Sequence, residues 1–378
     1  MTIPVLSVRA LNRALLARQM LLERSAISVH RAIEHLVGMQ AQLPTPPYYG
    51  LWSRLANFNP QELSQLFLDR QVARIALMRS TVHLVTADDA LALRPVMQSA
   101  VARGLTPGSP FGKALATVDL AELAVLAREL VEARPLTGNE VGVALQDRWP
   151  GVDVTALSIA ARAALPLVQV PPRGTWGGIG QSRSTTAESW IGRPLAEPDV
   201  AQVIRRYLAA YGPASVRDIQ AWSGLTGLGR IITELEPELL TFQDEAGVLL
   251  FDIPNAPRPS VDLSVPVRFL PDFDQILLAH ADRSRIFRPE LKNLIFSNNG
   301  IIRAFVLIDG FARALWKIES TKDTATLVVR PLPPDGREVI RPREWGAVEK
   351  EGRALLRFAV RGKSHDIRFE AGSTRATR

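Results

Sequence analysis

The sequence predicts an α+β chain in which three helix-then-ribbon units of winged-helix pattern run in tandem and a small antiparallel β domain follows. Three observations carry this. Apolar residues fall at helical spacing in runs that begin at Ser7 and recur to about residue 240, whereas two-residue alternation dominates from Gly300 onward. Each helical stretch is followed by a short β-like run around turn residues, at 73–85, 171–180 and 242–251. Pro- and Gly-rich breaks at 135–138, 150–151 and 211–213 punctuate the helical part. The boundaries that follow are 1–103, 104–195 and 196–290 for the three units, 291–370 for the β domain, and a disordered tail at 371–378.

The elements follow in order. Residues 7–21 read as a helix with Leu11, Leu15 and Leu16 on one face. Ser28 is placed to cap a second helix whose stripe is Val29, Ile33, Leu36 and Val37. The next step of that stripe lands on Gln40, a neutral amide where the pattern wants an aliphatic chain. Leu43 precedes Pro44 and is pushed out of helical geometry, so the helix is expected to end between Gln40 and Leu43. If the backbone turns extended there, Gln40 and Gln42 share a side and can converge on one point. A glutamine at a helix end also serves simply as a backbone-bonding cap. Tyr49–Leu55 starts another helix, and Pro60 opens a further one. Residues 73–79 and 81–85 read as two strands about a polar turn. Asp119 begins the helices of the second unit, which ends in the Gly-rich ribbon 171–180. Ile204, Tyr207 and Leu208 mark the third unit's first helix, and Ser215–Trp222 its second. In the last third, Ile302, Ala304, Val306 and Ile308 alternate up to Asp309-Gly310, a tight hairpin signal. Residues 326–329 and 355–359 are expected to add strands.

Composition bounds the function. The 378 residues are 47% hydrophobic and 22% charged, an ordinary globular balance. No apolar run approaches the roughly 20 residues of a membrane span, and the N-terminus lacks a basic-then-apolar leader pattern, so the expected location is cytoplasmic. The absence of cysteine excludes disulfides, thiolate nucleophiles and cysteine-ligated metal. Of the five histidines, His30 has Glu34 one turn on and His280 has Asp282 two residues on, but neither has a second histidine at ligand spacing. No metal and no cofactor are expected. A net charge of +7 favours a polyanionic partner.

Gln40-Ala41-Gln42, with Pro47-Tyr48 and Gly50-Leu51-Trp52-Ser53-Arg54-Leu55 behind it, resembles the glutamine–apolar–glutamine motif of the AlkZ-like DNA glycosylases. Further segments are similar to that family, in its order: Leu77-Met78-Arg79-Ser80-Thr81-Val82-His83-Leu84-Val85, Gly174-Thr175-Trp176-Gly177, Tyr211-Gly212-Pro213-Ala214-Ser215 and Phe269-Leu270-Pro271-Asp272-Phe273-Asp274. The resemblance implies winged-helix enzymes that remove N7-alkylated purines from double-stranded DNA, some by unhooking interstrand crosslinks, with a C-terminal β-barrel-like domain. It implies a monomer on the bacterial nucleoid. Family members with Asp at the second motif position exist; this chain has Gln42 there.

The chemistry agrees with the motif. An N7-alkylguanine is already cationic, so no acid need protonate it, and DNA phosphates stabilise the sugar cation. What remains is to hold a water. A glutamine, with one carbonyl acceptor and two N–H donors, can do that. Gln40 and Gln42 are therefore the candidate catalytic residues. Arg54, Arg79, Arg283, Arg285 and Arg288 are candidate phosphate contacts, each weighed against a structural pairing. His83, Asp274 and Tyr48 are possible supporting residues. A histidine between Val82 and Leu84 also reads as a hydrogen-bonded sheet residue. Asp272 and Asp274 read as a structural turn, Asp274 retaining a possible role in orienting substrate or an arginine. Tyr48 and Trp52 read more readily as core. Two rivals stand beside the repair enzyme: a non-enzymatic winged-helix DNA-binding regulator, and a glycoside hydrolase using Asp272 and Asp274, which one short turn cannot separate by the required ~5–9 Å.

Overall fold

A computed structural model describes residues 3–332 and 340–370. The expected tail, 371–378, lies outside the described residues. The chain opens with strand β1 (Val5–Leu6) and helix α1 (Val8–Arg18), capped by the Ser7 hydroxyl accepting from Ala10 N. Then come α2 (Val29–His35), β2 (Met39–Gln40), α3 (Pro46–Arg54), α4 (Pro60–Leu68) and the ribbon β3 (Val72–Ala76) and β4 (Val82–Thr86). β2 pairs with β4, the second strand of that ribbon.

The same order recurs. α5 (Leu120–Ala133), β5 (Leu136–Thr137), α6 (Gly138–Leu145) and α7 (Val154–Ala164) lead to the ribbon β6 (Leu167–Gln169) and β7 (Arg183–Thr186), and β5 pairs with β7. Next, α8 (Val200–Tyr211), α9 (Val216–Ser223) and α10 (Gly229–Leu235) lead to β8 (Leu240–Asp244) and β9 (Leu249–Asp252). Here the strand between the first two helices has shrunk to one bridge, Ala214 to Phe251 of β9. Helix, short strand, helix, helix, ribbon is thus repeated three times. The strand after the first helix of each set is two residues or one bridge, too short to show an alternation.

The first two ribbons do not stand apart. β3 pairs with β6 at Arg74↔Gln169 and Ile75↔Val168, giving one six-stranded sheet in the order β2-β4-β3-β6-β7-β5. The N-terminus goes to the third set: β1 runs parallel to β8, and Arg18 of α1 makes a fully buried bidentate ion pair with Asp252.

The last part is an open sheet, not a closed barrel. Strands β10 (Arg268–Leu270), β11 (Phe305–Ile308), β12 (Phe311–Ser320) and β13 (Thr324–Pro331) pair antiparallel. Helix α11 (Pro342–Ala359) then crosses over so that β14 (Ser364–Phe369) lies parallel to β13, leaving β10 and β14 as edges. The sheet begins at Arg268, ahead of the expected boundary at residue 291. Residues 355–359, expected as a strand, are the end of α11. Val348, Gly352, Leu355 and Leu356 recur at three- and four-residue steps and are buried, and the helical period is visible only when all four are counted. Asp309 (φ 51°) and Gly310 (φ 84°) form the expected tight hairpin between β11 and β12.

The turn from α2 into β2 positions everything described below. Gly38 N donates to Ile33 O at 3.0 Å and Val37 N to Glu34 O at 3.1 Å, closing the helix end in left-handed geometry at Val37 (φ 53°) and Gly38 (φ 88°). A Cβ on Gly38 would lie 2.5 Å from Val85 Cγ1 and 3.0 Å from Leu84 O. We expect Gly38→Ala to lower stability by about 1–3 kcal/mol in urea denaturation, through backbone strain and overpacking.

Candidate active site

Because α2 ends at His35, Gln40 is a strand residue. It sits opposite His83 across β2 and β4, and Ala41 N extends the ladder to Val82 O at 2.7 Å. The helix end expected between Gln40 and Leu43 therefore comes earlier, because a left-handed closure at Val37 and Gly38 stops the helix before the proline acts. Gln40 is 7% exposed. Gln42 is exposed, in the bend that leads to Pro44, with no hydrogen bond to its amide among the described residues.

The Gln40 amide is held in one orientation. Arg79 Nη2 donates to Gln40 Oε1 at 3.0 Å. A guanidinium only donates, so the amide oxygen must face it and the NH2 group must point elsewhere. Arg79 reaches this position from the β3–β4 turn with φ 55°, and Ser80 follows at φ 59°. Two successive non-glycine residues in this region cost roughly 1–3 kcal/mol each, a strain that surrounding contacts must hold in place. Part of that hold is a second Arg79 hydrogen bond, to Trp222 O in the last turn of α9, where the helix dipole favours a cation. Burial pushes the Arg79 guanidinium down to about 10, so it stays charged at neutral pH.

His83 is buried, and burial first, then the Arg79 charge, pushes it down to about 3. It is neutral at physiological pH. Its Nδ1 lies 2.9 Å from Thr81 O, so the single ring proton sits on Nδ1.

Beside Gln40 lies a recess of about 10 Å³, lined by Met39, Gln40, Pro46, Pro47 and residues 271–275. That is about the space of one water. Its far wall is fixed by a buried ion pair. Arg54 donates to both Asp274 oxygens at 2.8 and 2.9 Å and to Gly50 O at 3.0 Å, with neither side chain more than 1% exposed. Asp274 also caps the next turn through Ile276 N, and Asp272 accepts from Ala304 N at 2.8 Å. Burial pushes the Asp272 carboxyl up. Both carboxylates are thus turn-formers, and Asp274 orients an arginine.

The structure therefore places Gln40 and Asp274 on one recess, with Arg79 and His83 against Gln40, and leaves Gln42 exposed two residues on. It removes two of the expected phosphate contacts. Arg54 is consumed by Asp274. Arg285 is 5% exposed and donates to Pro213 O at 2.9 Å beside His280. Neither has surface to offer a phosphate. Arg283 is half-buried over the Phe296 ring at 5.0 Å, and Arg288 is exposed. Tyr48 is 1% exposed and donates to Gly174 O at 2.8 Å, tying α3 to the second ribbon's loop. Trp52 stacks on Phe358. Both aromatics are core. No group of three or more His, Asp or Glu able to hold a metal occurs among the described residues. Likewise no described helix is long and apolar enough to cross a membrane. Sequence reading did not find the Arg79–Gln40 bond. The register of the 73–85 ribbon against Gln40, had the two-residue β2 been legible, was the signal for it.

With this fold and this motif in place, the comparison with known proteins is decisive for class. Residues 33–358 match the family described as DNA glycosylase AlkZ-like, and the chain belongs to that family. Among its relatives, it is 24% identical over 363 residues to the interstrand DNA cross-link repair glycosylase of Streptomyces sahachiroi, covering 90% of this chain and 93% of that protein. Among solved structures, it superimposes on the Streptomyces sahachiroi DNA glycosylase AlkZ with a TM-score of 0.79 at 22% identity, over 97% of this chain and 100% of the other. The mixed α+β architecture is therefore the one that AlkZ has, and the chain is a DNA glycosylase by family.

The ion pair behind the recess gives a direct test. Arg54→Met leaves Asp274 buried without its cation and is expected to cost about 3–5 kcal/mol of unfolding free energy, measured by chemical denaturation.

Proposed function

We propose that this protein hydrolyses the N-glycosidic bond of N7-alkylated purines in double-stranded DNA, acting without a cofactor, as a monomer on the bacterial nucleoid, with Gln40 and Gln42 holding the attacking water. The observation that carries this reading is the Gln40 amide, fixed by Arg79 at the edge of a one-water recess. A carbonyl has two lone pairs. Arg79 uses one of Gln40 Oε1, which leaves the other for a water, and the NH2 group adds two donors. Gln42, exposed and unpartnered, is free to turn toward the lesion when DNA covers the site.

No group in this arrangement supplies a proton. That suits a leaving group which already carries positive charge: the alkylated purine departs as a neutral base, and the water loses its proton to solvent or to a DNA phosphate. An intact purine, which needs protonation to leave, is a poor substrate for such a site. The Streptomyces sahachiroi relative is named for interstrand crosslinks. We extend that to this chain: unhooking a crosslink is the same bond cleavage at a bulkier N7 adduct. The threefold recurrence of helix, strand, helix, helix and ribbon supports three tandem winged-helix units near the expected 1–103, 104–195 and 196–290, the third ending before β10 at Arg268, where the β domain begins, together forming one face for a single duplex.

Two experiments test the reading. Single-turnover release of N7-methylguanine from duplex DNA is expected to fall by about 10²-fold in Gln40→Ala, as when one preorganised hydrogen-bonding group is removed from a polar site. Gln42→Ala is expected to lose activity as well, and full activity in both variants removes the assignment. The wild-type rate is expected to stay level between pH 5.5 and 8. The amides do not titrate, and His83, held at about 3, remains neutral throughout. A bell-shaped profile in that window would place an acid or base in the reaction.

A further inference from the structure

The arginines of this chain fall into two kinds. Many are matched to a carboxylate, among them Arg148 with Glu122, Arg205 with Glu238, and Arg183 with Glu140. Four around the β3–β4 turn are not. Arg79 donates to Gln40 Oε1 and Trp222 O. Arg103 donates to Gly224 O, and Arg162 of α7 donates to Ser80 O at 2.9 Å. Arg283 lies over the Phe296 ring. No ion pair with a carboxylate occurs for any of them among the described residues. Asp282, next to Arg283 in the chain, is taken by the amide and hydroxyl of Ser284.

These four belong to one place. Arg79 and Ser80 are neighbours, so Arg162 hangs on the turn that carries Arg79. Trp222 and Gly224 end α9, so Arg79 and Arg103 share one helix terminus. A Cβ on Gly224 would lie 3.2 Å from Arg79 Cα, so turn and terminus are in contact. Arg283 is close enough that its charge helps to lower the Arg79 pKa, after burial. Arg79 and Arg103 are held by carbonyl oxygens at the negative end of a helix dipole, which tolerates them without neutralising them. Arg103 and Arg162 are exposed, and each uses one or two of five N–H donors.

We infer that Arg79, Arg103, Arg162 and Arg283 form one phosphate-binding arc for the DNA backbone, running from Gln40 outward across the second and third helical sets. This rests on the glycosylase reading for its partner. The chemistry is that of guanidinium forks meeting phosphate oxygens, which supply the anion that the fold withholds. Arg79, touching Gln40, is the inner end of the arc. A phosphate docked along it brings the strand beside the recess.

The test is the salt dependence of binding of the full-length protein to an undamaged duplex, by fluorescence anisotropy between 50 and 200 mM NaCl. Arg103→Gln and Arg162→Gln are each expected to flatten the log–log slope by about 0.9, and the double variant by about 1.8. Arg148→Gln and Arg205→Gln make the same change in net charge at carboxylate-paired sites, and the wild-type slope is expected in both. Arg103→Lys with Arg162→Lys keeps the charge and is expected to hold the wild-type slope, which separates charge from loss of fold. A wild-type slope in the double Gln variant, or an equal flattening in the paired-site controls, overturns the arc. Release of N7-methylguanine is followed in parallel. Activity with an unflattened slope removes the arc and leaves the glycosylase. The expected flattening without activity in the wild type removes the N7-alkylpurine reading and keeps the DNA surface.

Discussion

The buried pair of Arg54 and Asp274 is the constraint on which the site depends. It joins α3 to the turn after β10, residues 220 apart in the chain, with both side chains removed from water. Charges in such a place need an opposite charge and hydrogen bonds to most of their polar atoms, and of this pair's side-chain N–H groups Arg54 Nε is the one left without a partner. Here Asp274 receives two guanidinium donors and one backbone N–H, while Arg54 also serves Gly50 O and Gln19 Oε1. The pair fixes a distance. Pro46 and Pro47 begin α3, and residues 271–275 form the opposite wall, so the Arg54–Asp274 span sets the width of the recess beside Gln40. An apolar replacement of both partners could be as stable, but it would not set that width, because dispersion contacts carry no comparable directionality.

A second constraint acts on Gln40 itself. An amide on an edge strand would ordinarily sample both flips. Arg79 removes one of them, at the cost of two left-handed residues, 79 and 80. The strain is sustained because the α9 terminus, through Trp222 and Gly224, and α7, through Arg162, hold the turn from two helices. Local strain and distant packing are thus linked, and the linkage runs through all three helical sets. This explains why the first two share a sheet at β3–β6 and the third lends its α9 terminus: the turn bearing Arg79 sits where they meet.

Much of this was legible in the sequence, and the failures have physical causes. The Ser28 cap, the Asp309-Gly310 hairpin and the apolar stripes placed most long helices and the first ribbon to within a few residues, whereas 171–180, expected as a ribbon, is the loop between β6 and β7 because its glycines and prolines turn rather than pair. Gln40 stood out because it broke a stripe, although the stripe had ended five residues earlier than the proline suggested. Val37 in left-handed geometry leaves no compositional mark. Residues 355–359 read as a strand because five residues are too few to separate a period of two from 3.6. Arg54 and Arg285 read as DNA contacts because burial of an arginine depends on a carboxylate or carbonyl hundreds or tens of residues away, and neither Asp274 nor Pro213 announces its partner. Charge counts locate cations. They do not tell a neutralised one from a waiting one.

That distinction bears on how the proposed reaction would be controlled. Arg79 places a fixed positive charge 3.0 Å from the Gln40 amide oxygen, the group proposed to hold the water. Alone, it opposes both the cationic alkylpurine and the sugar cation that develops as the base leaves. At 4 Å a like-charge contact costs about 4 kcal/mol at an effective dielectric of 20, enough to slow the chemistry substantially. The opposition disappears when a phosphate settles against the guanidinium, since the anion then faces both charges. In the proposed arrangement the backbone of the substrate therefore completes the electrostatics of the site. A free alkylated nucleoside, which has the same leaving group but no flanking phosphate, would meet Arg79 unneutralised and would be cleaved slowly. Selectivity for DNA then arises within the chemical step itself, in addition to the binding that the outer arginines of the arc supply.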